Sequence, residues 1–239
     1  MKKTLVLLLI MLAPTSVMAQ KEEPWVTIDL PKIDFGFVPQ YGTSYHRFWI
    51  KSKIDDTLKI GESKTFCDCL EFTFEDSILA PKDSIPGMVA LSSDKLVGKK
   101  HWVPAIFTRE PRARIARIDV TAVVFGDPAA LNPIRVEPMV VNASWFGDKG
   151  PQEYLTTIAN FADETIPLRL IETDTTYFSL EFPVFLEPGQ KKEIKIVLNK
   201  RGLTEDFQES ITFEYIDNVT SERKHYTIPI KRRIFKSPN

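Results

Sequence analysis

The sequence contains few cysteines, a single long apolar run and no marked excess of charge of either sign. Two cysteines among 239 residues are too few for a disulfide-held scaffold, so hydrophobic cores must stabilise the fold, and a chain of this length can build them. The 31 Lys and Arg residues nearly balance 32 Asp and Glu residues. Because nucleic-acid-binding proteins usually carry a basic excess, nucleic acid is not an expected partner.

The one long apolar run lies near the start of the chain. Lys2 and Lys3 precede the apolar residues Leu5–Leu12, and Val17-Met18-Ala19 supplies a small-residue cleavage site. This is the pattern of a secretory signal peptide, so we expect residues 1–19 to be removed after Ala19. The run is shorter than the roughly 20 residues of a membrane helix. We therefore expect a periplasmic or extracellular protein without a transmembrane segment.

One sequence pattern occurs twice. Pro81 precedes an apolar strand pattern at Met88–Leu91, and Pro188 precedes another at Ile194–Leu198. The offset between the two prolines is 188 − 81 = 107. A period of this length is that of a domain rather than of a solenoid repeat, and it predicts a duplicated unit.

Apolar residues within each copy alternate with polar ones, as at residues 194–198 and 211–215. A period of two is typical of strands with one buried face, and no long stretch has helical periodicity. The sequence therefore predicts an all-β fold of two tandem immunoglobulin-like β-sandwiches, at residues 24–127 and 132–236. The turn-forming segment 126–133 between them is short, which limits the freedom of one unit relative to the other.

Several motifs of the first copy resemble those of a known family. They are Asp34-Phe35-Gly36, the strand pattern Arg47–Lys53, the pair Cys67-Asp68-Cys69 and the Leu-x-Pro turn at residues 79–81. Through them, residues 30–127 resemble the exported bacterial domain of unknown function 1573, which is grouped with immunoglobulin-like domains of the major sperm protein and Hydin type. The resemblance implies this fold, with the second copy a diverged sibling, and it implies no activity.

Cys67 and Cys69 are the candidate redox or metal residues. On an extended strand their side chains would share a face with Cα atoms about 6.6 Å apart, at the upper limit for a disulfide. We interpret them first as small apolar side chains on the inner face of a strand, and we predict no cofactor. The alternatives are an exchangeable disulfide and a Cu(I) site with His46, His101 or Met88 as a further ligand.

Four residues are candidates for a binding surface. Trp49 lies on the face opposite its apolar neighbours, so we expect it to be exposed, and Trp102 follows two lysines. Exposed tryptophans stack on ligands, although in a sandwich they more often belong to the core. Arg232 and Arg233 belong to the basic segment Lys231–Lys236, which would contact an acidic partner or remain solvated.

No motif of the common hydrolases or phosphate-binding loops occurs in the sequence. The sequence therefore favours a non-catalytic exported module of the bacterial envelope that binds a protein or glycan. An alternative is a chaperone that lends a strand to a secreted subunit, since periplasmic pilus chaperones resemble this chain in domain arrangement. Ile118–Phe125 is then the candidate donor strand. Arg112, Arg114 and Arg117 are candidates for the basic cleft of such a chaperone.

Overall fold

The computed structural model describes residues 25–30, 32–110, 115–127, 133–147, 150–217 and 220–236. The predicted signal peptide lies outside these residues, and so do Arg112 and Arg114. Within them, no helix has the length and apolar character needed to cross a bilayer.

Strands make up nearly all of the regular structure, which confirms the predicted all-β fold. The strands before Gly126 are β1 (Val26–Ile28), β2 (Lys32–Pro39), β3 (Thr43–Ser52), β4 (Leu58–Lys64), β5 (Leu70–Phe74), β6 (Ile78–Leu79), β7 (Ser84–Ser92), β8 (Gly98–Trp102), β9 (Ala105–Glu110), β10 (Ile115–Arg117) and β11 (Asp119–Phe125). Those after it are β12 (Ile134–Glu137), β13 (Val141–Asn142), β14 (Trp145–Phe146), β15 (Glu153–Asn160), β16 (Ile166–Thr173), β17 (Phe178–Glu181), β18 (Phe185–Leu186), β19 (Lys191–Leu198), β20 (Phe207–Asp217), β21 (Glu222–Arg232) and β22 (Ile234–Phe235). One short helix, α1 (Lys200–Thr204), lies between β19 and β20.

The predicted duplication is present in the strand pairing. One four-stranded sheet of the first half has the order β1-β3-β7-β5, and one of the second half has the order β12-β15-β19-β17. The first residues of β7 and β19 are separated by the same offset as the two prolines, and so are those of β6 and β18. The repeated sequence pattern therefore builds the same antiparallel sheet twice.

The two halves differ in the hairpin that follows this repeat. In the second half, β20 and β21 pair without interruption over eleven residues each. In the first half the hairpin is divided, because β9 pairs with β10 while β8 pairs with β11. The division falls at Pro104, which has no N–H to donate to a strand ladder. Its carbonyl accepts a hydrogen bond from the Ile118 amide at 3.1 Å, so the hairpin bends there and passes from one sheet to another.

Strand β2 joins the two halves in one sheet. β2 pairs in parallel with β11 on one side and with β21 on the other, where Phe37 lies opposite Tyr226. The resulting eight-stranded sheet has the order β18-β16-β20-β21-β2-β11-β8, with β13 beside β21. β8 is the edge strand at the first-half end of this sheet.

Two hydrophobic clusters lie within the sandwiches. Phe48 and Leu91 are among the buried residues of the first cluster, and Phe178 and Phe213 of the second. Fully burying one such side chain contributes roughly 1.5–3 kcal/mol, so each cluster contributes to the stability of the sandwich around it. Phe125, the last residue of β11, belongs to the second cluster. The boundaries at 24–127 and 132–236 remain a prediction.

Candidate functional site

Gly36 allows the two halves to approach each other at the β2–β21 pair. Its φ is +62°, and a Cβ at this position would lie 2.1 Å from the His225 carbonyl oxygen. Only glycine adopts this conformation without strain and also leaves room for the opposite backbone. Beside it, the Thr227 hydroxyl donates to the Phe35 carbonyl at 2.7 Å. Direct backbone contact therefore fixes the junction, in addition to the short connection between the halves.

An ionic cluster fastens β3 to β16 and β20, a second contact between the halves. Arg47 donates from Nη2 to Glu209 Oε1 at 2.9 Å and also pairs with Asp174, while His46 pairs with Glu172. Glu209 is only 5% exposed. Burial raises the pKa of Glu209 to about 7, and the neighbouring carboxylates add to this effect while Arg47 opposes it. The cluster is therefore a pH-sensitive part of the junction.

A groove of about 600 Å³ lies on the eight-stranded sheet at the junction and is lined by residues of β2, β8, β11 and β21. We call it the junction groove. Its basic side chains are Lys32, Lys99, Lys100, His101, Arg223, Lys224 and His225. Two acidic residues, Asp34 and Glu222, also line it. The groove therefore has more basic than acidic side chains in its lining, although carboxylates pair with His101, Arg223, Lys224 and His225.

His225 occupies the middle of the junction groove and contacts both halves. Its Nδ1 lies 3.3 Å from the Asp34 carbonyl oxygen, and its Nε2 lies 3.6 Å from Glu214 Oε2. The Thr121 hydroxyl donates to Asp34 Oδ1 at 2.7 Å. Both ring nitrogens thus face protein oxygens, so this histidine is held in place by its neighbours.

Three lysines of the junction groove form no ion pair with any other described residue. Within the described part of the chain, no carboxylate lies within salt-bridge distance of Lys32, Lys99 or Lys100, whereas Lys224 pairs with Asp217. Lys99 and Lys100 lie on β8, which pairs only with β11 among the described strands. Unpaired backbone groups along one side of β8 can accept an added strand. The lysines would attract acidic side chains of that strand.

A second groove, of about 710 Å³, lies where β3 and β7 meet β20 and β21. Tyr45, Gln208, Lys231, Arg233 and Phe235 are among its lining residues. The two-stranded ribbon of β14 and β22 borders this second groove. We call the second groove the aromatic groove.

The structure places Cys67 and Cys69 in the turn between β4 and β5, so their expected position on the inner face of a strand is wrong. Their sulfurs are bonded to each other, their Cα atoms are 5.1 Å apart, and both residues are partly exposed. A turn brings residues i and i+2 closer than the roughly 6.6 Å of a strand. Among the described residues, no group of three or more His, Cys, Asp or Glu side chains is arranged to hold a metal ion.

The four candidate surface residues have different environments. Trp49 is 49% exposed, whereas Trp102 is partly buried against the first hydrophobic cluster. Arg232 is not on the surface: it is 2% exposed and donates to the Ala143 and Leu203 carbonyls. That expectation was wrong because the guanidinium lies inside the fold, where two backbone carbonyls accept hydrogen bonds from it. Arg233 is exposed and lines the aromatic groove.

The candidate donor strand, Ile118–Phe125, does not lie at a sheet edge. It corresponds to β11, which is paired with β2 on one side and with β8 on the other. A strand that is hydrogen-bonded on both sides has no free edge to lend, so this assignment was wrong. Arg117, the described member of the three arginine candidates, lies on β10 and does not line the junction groove.

Comparisons with known proteins revealed similar architectures at low sequence identity. No protein-family model and no curated protein matches the chain. A Porphyromonas gingivalis protein of unknown function is similar over 88% of this chain and all of its own, with 10% identity and a TM-score of 0.38. The CupB2 chaperone of Pseudomonas aeruginosa covers 85% of this chain and 100% of its own at 10% identity and a TM-score of 0.31. A C. elegans MSP family member is similar over 44% of this chain and 99% of its own, with 14% identity and a TM-score of 0.32. These similarities are too low to indicate a function.

Proposed function

We propose that this chain is a non-catalytic binding module of the bacterial cell envelope, and that the junction groove binds an extended acidic segment of an envelope protein. The observation that carries the proposal is the position of Lys99 and Lys100 on an edge strand that lines the groove. The edge supplies backbone donors and acceptors, and the lysines supply charge. Successive residues of a strand point to opposite faces, so one lysine lies on each face of the edge. An added extended chain with carboxylates on either face therefore meets one of them.

The fixed junction favours binding. Gly36 and the Arg47 cluster hold the halves together, so the basic side chains from both halves are in position before a ligand arrives. A preformed site avoids part of the ordering cost of association. Exposed ion pairs contribute only about 0.2–1 kcal/mol each, and they are screened by salt. The expected affinity is therefore moderate and falls with ionic strength.

The envelope location rests on the sequence. The signal pattern of residues 1–19 favours export, and the resemblance of residues 30–127 supports membership of the first half in that exported domain family. A non-catalytic role fits the environment of His225, because both of its ring nitrogens face protein oxygens rather than the open groove.

The test uses a synthetic peptide of alternating Glu and Val, labelled with a fluorophore, and measures anisotropy with the chain starting at Gln20. We expect saturable binding at low salt that weakens as salt is added. A peptide of alternating Lys and Val should not bind. The Glu-Val peptide N-methylated on every residue should bind more weakly, because neither of its edges can donate N–H groups to a strand ladder.

Two double variants distinguish binding at the junction groove from a general effect of the protein's net charge on peptide binding. Lys99→Glu with Lys100→Glu should weaken peptide binding by about tenfold or more, equivalent to about 1.4 kcal/mol. Lys51→Glu with Lys53→Glu makes the same change in net charge away from the groove and should leave binding nearly unchanged. Equal losses in both double variants, or no loss in either, would contradict the proposal.

A further inference from the structure

The aromatic groove is bordered by rings held at the surface. Phe146 and Phe235 are 70% and 41% exposed, and their ring centroids are 5.3 Å apart. Exposed aromatic rings grouped in this way mark a binding surface more often than isolated apolar side chains do. Phe235 lines the open groove of about 710 Å³, and Phe146 packs beside Phe235.

Backbone hydrogen bonds hold the ribbon that carries these rings. The Trp145 amide donates to the Arg233 carbonyl at 3.0 Å, and the Gly147 amide donates to the Phe235 carbonyl at 2.9 Å. The Ile234 amide donates to Asp206 Oδ1 at 2.7 Å. The rings are therefore preorganised, which reduces the entropy lost when a ligand stacks on them.

The buried side chain of Arg232 fastens the chain just before β22 to the interior of the fold. Its Nη1 donates to the Ala143 carbonyl at 2.7 Å, and its Nη2 donates to the Leu203 carbonyl at 2.9 Å. Its neighbours Lys231 and Arg233 are exposed and line the groove. Among the described residues, neither has a carboxylate within salt-bridge distance, so both cations are available to a ligand.

Polar side chains complete the groove. The Tyr45 hydroxyl donates to Gln208 Oε1, which orients the Gln208 amide nitrogen as a donor. Asp206 uses Oδ1 for the Ile234 amide, and its second oxygen is the acceptor on the same wall. The groove thus combines an apolar platform, a neutral donor, an acceptor and two cations.

We propose that the aromatic groove binds an acidic glycan. Sugar rings have apolar faces that stack on aromatic side chains, and their hydroxyls pair with planar polar groups such as amides and carboxylates. Lys231 and Arg233 select glycans that carry carboxylates, because an unpaired cation gains little from a neutral sugar. The site is separate from the junction groove and its ligand belongs to a different chemical class.

The probe is a purified oligogalacturonate, and binding is measured by calorimetry together with the change in tryptophan fluorescence. Phe146→Ala with Phe235→Ala should weaken binding by about tenfold or more. Trp49→Ala removes an exposed aromatic ring elsewhere and is the matched control, which should bind normally. Circular dichroism and thermal unfolding confirm that each variant is folded.

Further measurements test whether the aromatic groove prefers acidic to neutral glycans, and whether it prefers glycans to acidic polypeptides. Lys231→Gln with Arg233→Gln should abolish the preference for oligogalacturonate over a neutral maltooligosaccharide. Lys99→Glu with Lys100→Glu should leave glycan binding unchanged, so failure at one groove is distinguishable from failure at the other. Unchanged oligogalacturonate binding in the Phe146 and Phe235 double variant would overturn the proposal. So would equally tight binding of polyglutamate, since that would make the site a general acceptor of acidic chains.

Discussion

The two halves of the molecule share a repeated sheet but differ in one hairpin, and that hairpin supplies β8, the edge strand of the junction groove. At the offset that relates the two halves, the counterpart of Pro104 is Ile211, which lies inside β20 and pairs with Ile228. In the second half the hairpin stays whole. In the first half it is divided, so β8 and β11 form a separate ladder beside β2. The second half has a matching parallel pair, β13 with β21, without such a division. The proline at position 104 therefore accounts for the divided hairpin, because it cannot donate to a ladder, and the β2–β21 pair is a separate contact between the halves.

The turn that holds the cysteines gives a second comparison. At the same offset, Cys67 and Cys69 correspond to Asp174 and Thr176. The Cys69 amide donates to Cys67 Sγ at 3.0 Å, and the Thr176 amide donates to Asp174 Oδ1 at 2.7 Å. Both halves use the side chain of the first residue to cap the amide two residues later, an arrangement common in Asx turns. The disulfide is an addition to a turn that the second half builds without it.

The largest expected effect comes from transferring the proline to the second half. Ile211→Pro removes a buried side chain and a ladder amide from a strand paired on both sides, so it should lower the free energy of unfolding by at least about 3 kcal/mol. Pro104→Ala is the matched change in the first half and should alter it by less than about 1 kcal/mol. Urea unfolding measures both. A loss below about 1 kcal/mol in Ile211→Pro would show that the intact hairpin tolerates the proline, and that the residue at this position does not decide whether the hairpin is divided.

The next effect tests the close approach at the junction. Gly36→Ala should cost about 3 kcal/mol, because the new Cβ meets the His225 backbone as well as adopting a positive φ. Gly189 has a φ of +68°, and no atom lies within 4 Å of the position that a Cβ would take there, so Gly189→Ala should cost only about 1–2 kcal/mol for the conformation. The difference between the two unfolding free energies isolates the contact between the halves. Equal costs would mean that the halves are not in contact there.

Some of the structural features that these variants test can be predicted from the sequence, and others cannot. Alternation and the constant offset predicted the all-β fold and the repeated sheet, because both follow from local side-chain periodicity. The β2–β21 pair joins Phe37 to Tyr226 from opposite ends of the chain, and no local pattern signals a parallel pair of this kind. The burial of Arg232 was missed because its partners are backbone carbonyls, which composition does not reveal.

A smaller effect concerns pH. The pKa of Glu209 is raised by burial from 4.5 to about 7. A raised carboxyl pKa contributes stability that is present below pH 4.5 and is lost as pH rises through about 7. The Glu209→Gln variant should not lose this stability as pH rises. Between pH 4.5 and pH 7.5, the free energy of unfolding should therefore fall by about 1–3 kcal/mol more in the wild type than in the variant.

In the same cluster, the pKa of Asp174 is shifted in the opposite direction to that of Glu209. Burial acts to raise its pKa, but hydrogen bonds from Thr176 and the charge of Arg47 outweigh this and lower it. Its contribution is therefore present above about pH 4 and is lost in more acidic solution. Urea unfolding at intervals from pH 3 to pH 8 separates the two groups. An identical pH profile for wild type and Glu209→Gln would contradict the assignment of Glu209.

The smallest effect tests the equivalence of the two turns. Cys67→Asp with Cys69→Thr places the second-half turn in the first half and should retain about 0.5–1 kcal/mol more stability than Cys67→Ala with Cys69→Ala. Both variants lack the disulfide, so thermal unfolding compares the turns alone. No difference between them would show that the capping contact does not stabilise this turn. Thiol titration of the wild type under non-reducing conditions should find no free thiol.

We propose that both halves contribute to one binding site at the junction. Amide chemical shifts measured by NMR while the Glu-Val peptide is added will show which residues the peptide contacts. We expect the shifts of residues 98–102 on β8 and of residues 222–225 on β21 to change together, with the same dependence on peptide concentration. Changes confined to one half, or centred on Trp49 rather than on the groove, would contradict the account.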